Sequence, residues 1–253
     1  MAANLYSEAR QEERSLPVPT RALTIGAHPD DAEFGAGGTL ARWAGEGCEV
    51  SILVVTDGSK GTWDPHLDPV ELVRKREAEQ RRAAAVLGAR GEIVMLGHPD
   101  GEITATMELR EQLCLWIRRL RPDVVLTHDP WKRYMLHPDH RVTGISAVDG
   151  VVAARDHLFF THQLTGGMTK HRPEAILFWA ADEPDHREDI TDTFEAKVEA
   201  LLCHSSQGET TMGDAHDHTD ARLAFERRIR DWATGQADPP GSGLVEAFKL
   251  VRP

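Results

Sequence analysis

Short apolar runs alternate with longer stretches in which apolar residues recur every three to four positions. The runs at 22–25, 49–55 (EVSILVV), 93–96, 123–127 (DVVLT) and 175–179 have the length and β-branched content of buried strands. Between them, 33–47 places Leu40, Ala41, Trp43 and Ala44 at helical spacing. The charged stretch 70–87 keeps Ala83 to Val86 on one side and closes at Gly88, and 108–120 is amphipathic and stops at Arg121-Pro122. Residues 141–154 predict a further helix. Beyond residue 160 the pattern weakens, with helices predicted at 193–203 and 219–232 and a polar, histidine-containing loop at 205–218. Buried strands alternating with helices imply a parallel sheet covered on both faces. The predicted fold class is α/β, a Rossmann-like three-layer sandwich with a mostly parallel sheet.

Residues 1–20 are polar and end in Pro17 and Pro19, which predicts an extended N-terminal extension, and 21–253 then form a single domain. The 29 basic and 41 acidic residues give a formal net charge of −12, against general nucleic-acid binding and against a polybasic membrane patch. Cys48, Cys114 and Cys203 are scattered without CxxC spacing and are expected to be reduced thiols. The N-terminus lacks an apolar h-region, and no stretch approaches the roughly 18 apolar residues of a membrane span, so a cytoplasmic protein without a membrane span is expected.

The chemistry concentrates in two places. The first strand runs straight into His28-Pro29-Asp30-Asp31, at the carboxyl edge where open α/β sheets bind ligands. Two adjacent aspartates are costly to bury unless a cation sits between them. The theme returns roughly a hundred residues later as His137-Pro138-Asp139-His140. Oxygen and nitrogen donors without sulfur suit a catalytic rather than a structural metal. The plainer readings are an Asx-type turn capping a helix at Gly35 and a helix N-cap using Asp139. Gly35 to Gly38 (GAGG) lacks the full GxGxxG and follows two carboxylates that would repel a phosphate.

AHPDD after a first strand, with HPDH further on, resembles the PIG-L/LmbE-like zinc de-N-acetylases, and the resemblance runs from about Leu23 to the end of the chain. It implies His28, Asp31 and His140 as ligands of zinc, with iron or another divalent metal as substitutes. It implies Asp30 as general base, with an orienting partner of His28 as the plainer reading. It implies His137 as the group that stabilises the oxyanion or protonates the leaving amine, tuned by Asp139. Where some members carry a tyrosine two residues before this histidine, this chain has Met135, and Tyr134 lies one residue earlier. The implied substrate is a small N-acetyl amino sugar conjugate, and homo-oligomers are common among such proteins.

Arg76 and Glu79 form an R-x-x-E pair similar to one in the family, readable either as substrate contacts or as an i,i+3 ion pair. Asp100-Gly101 resembles the family's D-G loop. Lys197, His204, Ser205 and Gln207 match its C-terminal signature and are expected in the pocket wall, with His204 a tentative substrate contact. Trp63, Trp131 and Trp179 are candidates for lining a sugar cleft, and His216 and His218 are expected in a solvated loop. Three alternatives stay open: an amidase of thiol conjugates, a hydratase of a dicarboxylic keto acid drawing on Arg76, Lys132 and Arg133, and a non-catalytic sugar- or metal-binding module.

Overall fold

The structure is a computed structural model that describes residues 16–213 and 219–253. In chain order it contains β1 (Arg21–Gly26), α1 (Asp31–Gly45), β2 (Glu49–Thr56), α2 (Pro69–Val86), β3 (Ile93–His98), α3 (Met107–Leu120) and β4 (Val124–His128). Then follow α4 (Pro138–Ala154), β5 (Ala175–Trp179), β6 (His186–Asp189), α5 (Phe194–Leu202), α6 (Thr219–Gly235) and β7 (Val245–Val251). The sheet order is β3-β2-β1-β4-β5-β7-β6. The first five strands pair in parallel, while β7 runs antiparallel to β5 and β6 antiparallel to β7.

Every residue of β4 and β5, and all of β1 after Arg21, is buried, as expected of strands covered on both faces. One core cluster holds Leu40, Trp43, Ile52, Val54 and Leu126 and is fed by α1 and α2. The opposite one holds Leu23, Ile25, Leu53, Leu113 and Ile117 and is fed by α3 and α4. A third, around Phe194, Val198, Phe225 and Ile229, joins α5 to α6. Leu16 and Val18, within the predicted extension, pack against the first of these cores.

The five predicted strands and six predicted helices are all present, and the sheet is mostly parallel. The sequence pattern missed β6 and β7. His-Arg-Glu-Asp carries no apolar run, and β7 interleaves Glu246 and Lys249 with its apolar positions, so neither has the signature of a buried strand. Two helix starts also move. α1 begins at Asp31 and α4 at Pro138, a residue pre-organised for the first turn, so both histidine–aspartate motifs enter their helices directly. Among the described residues no helix is long and apolar enough to cross a membrane. The histidines at 216 and 218 lie outside the described residues.

One buried ion pair ties these layers together. Lys197 of α5 donates to Glu246 of β7 at 2.5 Å and to the carbonyl of Phe34 at 2.7 Å. The Glu246 carboxylate also accepts from the amides of Gly38 at 3.0 Å and Thr39 at 2.8 Å. The pair is thus inserted into the hydrogen-bond ladder of α1. Gly37 gives Lys197 room, since a Cβ there would sit 3.2 Å from Lys197 Cγ, and Gly38 likewise admits Ile190, whose Cβ would lie 2.6 Å from an added Cβ. Lys197 is therefore an internal strut rather than the pocket wall its motif suggested. Lys197→Met preserves volume but strands the carboxylate, so the unfolding free energy should fall by about 3–5 kcal/mol. Urea denaturation measures this, and a change within about 0.5 kcal/mol, the range of ordinary surface substitutions, would remove the pair from the stabilising contacts.

Candidate active site

The strands wind outward in opposite senses from β1 and β4, so the crevice between their carboxyl ends is the topological switch point. The turn leaving β1 is tight. Asp30 takes φ 109°, a conformation that side-chain-bearing residues rarely adopt and that the surroundings must enforce. The enforcement comes from α2. Gln80 accepts the Asp30 amide at 3.1 Å, while Arg76 donates to the Pro29 carbonyl at 2.6 Å and the Gly58 carbonyl at 3.0 Å. On the other side, Gly144 lets α4 press against the end of β4, because a Cβ there would lie 2.6 Å from the His128 carbonyl. That contact carries His140 over the crevice.

Three side chains meet at its floor. His28 Nδ1 lies 3.2 Å from His140 Nε2 and 3.6 Å from Asp31 Oδ2, and His140 Nε2 lies 3.4 Å from Asp31 Oδ1. The far nitrogen of His28, Nε2, is within 3.1 Å of Asp100 Oδ1 and 3.3 Å of Asp139 Oδ2. These carboxylates accept a hydrogen bond from Nε2–H, which turns Nδ1 toward His140 and Asp31. Among the described residues the potential metal-holding groups all overlap here: His28, His137 and His140; Asp31, His128 and His140; and His28, Asp100 and Asp139.

The electrostatics follow from this crowding. Burial opposes a charge on His28, yet Asp100, Asp139 and Asp31 outweigh it and raise its pKa well above the ordinary value. Burial brings His140 down to about 4 against the pull of Asp31, helped by its three histidine neighbours. Burial also lowers His137, with His28 adding to the effect. Asp31 is held well below the usual carboxylate range because His128 and His140 overcome its burial. Asp100 sits at about 2, burial being outweighed by His28. Asp30 differs: burial lifts it to about 6 although Arg76, with Nη2 3.6 Å from Oδ2, pulls the other way.

His137 is exposed to the cleft, and its Nδ1 accepts the Asp139 amide at 3.3 Å, which puts its proton on Nε2. The Asp139 carboxylate itself is fully buried and turns to His28 and to the Gly101 amide at 2.7 Å. The cleft above these groups has a volume of about 700 Å³, walled by Phe34, Trp63, Trp232, Lys60 and Gln207.

Several predicted substrate contacts move inward. Glu79 is fully buried and accepts Ser205 Oγ, the Ser206 amide and Ser206 Oγ at 2.8, 3.0 and 2.5 Å. His204 is fully buried 3.5 Å from Glu33, which in turn accepts Gln80 Nε2 at 2.6 Å. Burial opposes a charge on His204, but Glu33 and Asp30 raise its pKa. Glu79 thus anchors the chain at Ser205 and Ser206, His204 sits against Glu33 of α1, and neither has surface to offer a substrate. Trp131 packs edge-on to Phe178 outside the cleft, and Trp179 is buried beneath it. Arg76 does line the cleft, with its guanidinium committed to two carbonyls. Sequence reasoning passed over His128, Gln80, Glu33 and Trp232. Only His128 carried a signal, as a histidine ending a strand.

A profile of the PIG-L family, described as GlcNAc-PI de-N-acetylase, matches residues 23–151. The chain is 37% identical over 187 residues to a diacetylchitobiose deacetylase of Thermococcus kodakarensis, covering 74% of this chain and 70% of that protein. It is 28% identical over 234 residues to a 1D-myo-inositol 2-acetamido-2-deoxy-alpha-D-glucopyranoside deacetylase of Actinosynnema mirum, covering 76% and 82%. The solved structure of an N,N'-diacetylchitobiose deacetylase from Pyrococcus horikoshii superposes with a TM-score of 0.84 at 28% identity, covering all (100%) of this chain and 93% of that one.

The Arg76 clamp is testable without reference to activity. A lysine ammonium cannot span the Pro29 and Gly58 carbonyls as a planar fork does. Arg76→Lys should cost about 1–3 kcal/mol of stability in denaturant titration, and wild-type stability in this variant would contradict the clamp.

Proposed function

The chain belongs to the PIG-L family, and from that premise we propose that it is a metal-dependent hydrolase that removes the acetyl group from the nitrogen of a GlcNAc-type amino sugar, releasing acetate and a free amine. The carrying observation is the convergence of His28 Nδ1, Asp31 and His140 Nε2. His28 Nδ1 and His140 Nε2 stand 3.2 Å apart and Asp31 Oδ1 stands 3.4 Å from His140 Nε2, separations that suit a metal ion. Donors about 2.0–2.1 Å from a tetrahedral zinc stand about 3.3–3.4 Å apart. Two nitrogens and one carboxylate without sulfur are a catalytic rather than a structural donor set, and zinc is the metal we assign.

A zinc ion held there would supply Lewis acidity, polarising the amide carbonyl and acidifying water. The remaining work falls to the chain's own groups. Asp30, lifted to about 6 by burial, takes the proton of the attacking water and later returns one to the departing amine. A carboxyl poised near neutrality can do both. Its left-handed backbone, held by Gln80 and the Arg76-bound Pro29 carbonyl, keeps that carboxyl at the cleft floor. His137, with its proton on Nε2, donates to the oxygen on which charge develops as the carbonyl becomes tetrahedral. Asp100 and Asp139 hold His28 in the tautomer that presents Nδ1.

The walls favour a neutral sugar. Trp63 and Trp232 offer aromatic faces to pyranose rings. The hydratase alternative needs free cations for two carboxylates, yet Arg76 is engaged as above, Lys132 donates to the Ala180 carbonyl at 2.6 Å and Arg133 pairs with Asp182 at 3.2 Å. Lys60 is paired with Glu102 at 2.7 Å. A GlcNAc disaccharide therefore suits the site better than an anionic conjugate. The free cysteines fit a reducing compartment such as the cytoplasm.

Zinc-loaded protein should release acetate from N,N'-diacetylchitobiose, lose this activity to a chelator and regain it with zinc. Asp30→Asn should lower kcat by about 10²–10⁴ with zinc content unchanged, and His137→Ala by about 10²–10³. Absence of acetate from a panel of N-acetyl sugars, with zinc bound, would overturn the deacetylase reading.

A further inference from the structure

We propose that His128 and Trp179 form a brace that fixes the carboxylate of Asp31, and that this brace sets how tightly the site holds its cation. The proposal rests on the reading of Asp31 as a metal ligand.

His128 and Trp179 are the last residues of β4 and β5 and sit opposite each other in the parallel register. Both are buried. The indole Nε1 of Trp179 lies 3.0 Å from His128 Nδ1. An indole can only donate, so Nδ1 carries a lone pair and the ring proton is on Nε2. His128 Nε2 lies 3.0 Å from Asp31 Oδ2 and donates to it. The amide of Ala27 also points toward Nε2, from 3.4 Å. The ring must nevertheless carry one proton, and the indole leaves only Nε2 for it, so the bond to Asp31 is the one that stands.

Two consequences follow. First, His128 is not a ligand, although it lies in one of the metal-holding groups, because the nitrogen facing the site bears hydrogen. Second, Asp31 Oδ2 accepts both His128 and the His28 amide, the latter at 2.7 Å. Its lone pairs are engaged, and Oδ1, 3.4 Å from His140 Nε2, is the oxygen left to face a cation. The brace is rigid. His128 stacks on His140 at 4.2 Å between centroids and meets Trp179 edge-on at 4.9 Å. Gly35 admits the indole beneath α1, since a Cβ there would come within 2.5 Å of the ring. His128 is thus a positioning residue acting through Asp31, with Trp179 fixing its tautomer.

The test is zinc affinity, measured by competition with a chromophoric chelator on the full-length protein, with circular dichroism of each metal-free variant to check folding. His128→Ala should weaken zinc by about 10–100-fold. Trp179→Phe, which frees Nδ1 and lets the ring proton shift, should weaken it by a smaller factor. His128→Gln, whose amide N–H can still reach Asp31, should recover part of the loss. The cobalt(II)-loaded His128→Gln protein should keep the visible d–d band positions of the wild type, because no ligand has been removed. Unchanged zinc affinity in folded His128→Ala and Trp179→Phe would overturn the brace, as would a cobalt spectrum showing loss of a nitrogen ligand. A wild type that binds zinc tightly but releases no acetate would instead sink the deacetylase reading and leave these affinities standing.

Discussion

Burying a carboxylate is costly to the extent that its lone pairs go unused and its charge unanswered, and this constraint organises the centre of the molecule. Asp30, Asp31, Glu33, Glu79, Asp100 and Asp139 all lie at or beneath the switch point, almost without solvent. Each has found a different answer. Asp31 takes histidine and backbone donors, Asp100 and Asp139 share His28, Glu33 takes Gln80, and Glu79 takes two serines. Asp30 is left with an arginine too distant for a hydrogen bond, and burial drives its pKa upward, whereas in Asp31, Asp100 and Asp139 the same burial is outweighed by their partners. The differing protonation behaviour of neighbouring aspartates thus follows from who reaches them, as expected where acid and base roles must be separated.

The legibility of the site in the sequence tracks how local its parts are. His28, Asp30 and Asp31 fall within four residues of one turn, and His137, Asp139 and His140 within one helix start, so their clustering is legible in the sequence while their separate roles come from the family resemblance. The brace is invisible in the same sense. His128 and Trp179 are far apart in the chain and become partners only through the register of β4 against β5. Trp232 reaches the cleft from α6, and no periodicity tells which face of that helix the cleft will want. For Arg76 and Glu79 the motif was legible but its direction was not. On a helix, i and i+3 share a face, yet only packing decides whether that face looks at substrate or at the underside of a loop.

The fold shows the same division. Strands that are apolar throughout were readable because a doubly covered sheet demands such composition. The antiparallel edge was not, because β6 and β7 gain their place from partners rather than from their own residues: β7 lies between β5 and β6, and its Glu246 is buried only because Lys197 meets it.

That strut has a bearing on how the domain is divisible. The family profile ends at residue 151, yet the helix that begins with Asp31 is spliced to Lys197 and Glu246, both beyond that limit. The Glu33 network leans likewise on His204, and the brace on Trp179. The segment bearing the histidine–aspartate motifs is therefore not a self-sufficient module. A chimera that exchanged the C-terminal third for a foreign one would have to carry these three anchor points with it to keep the motif-bearing turns in place.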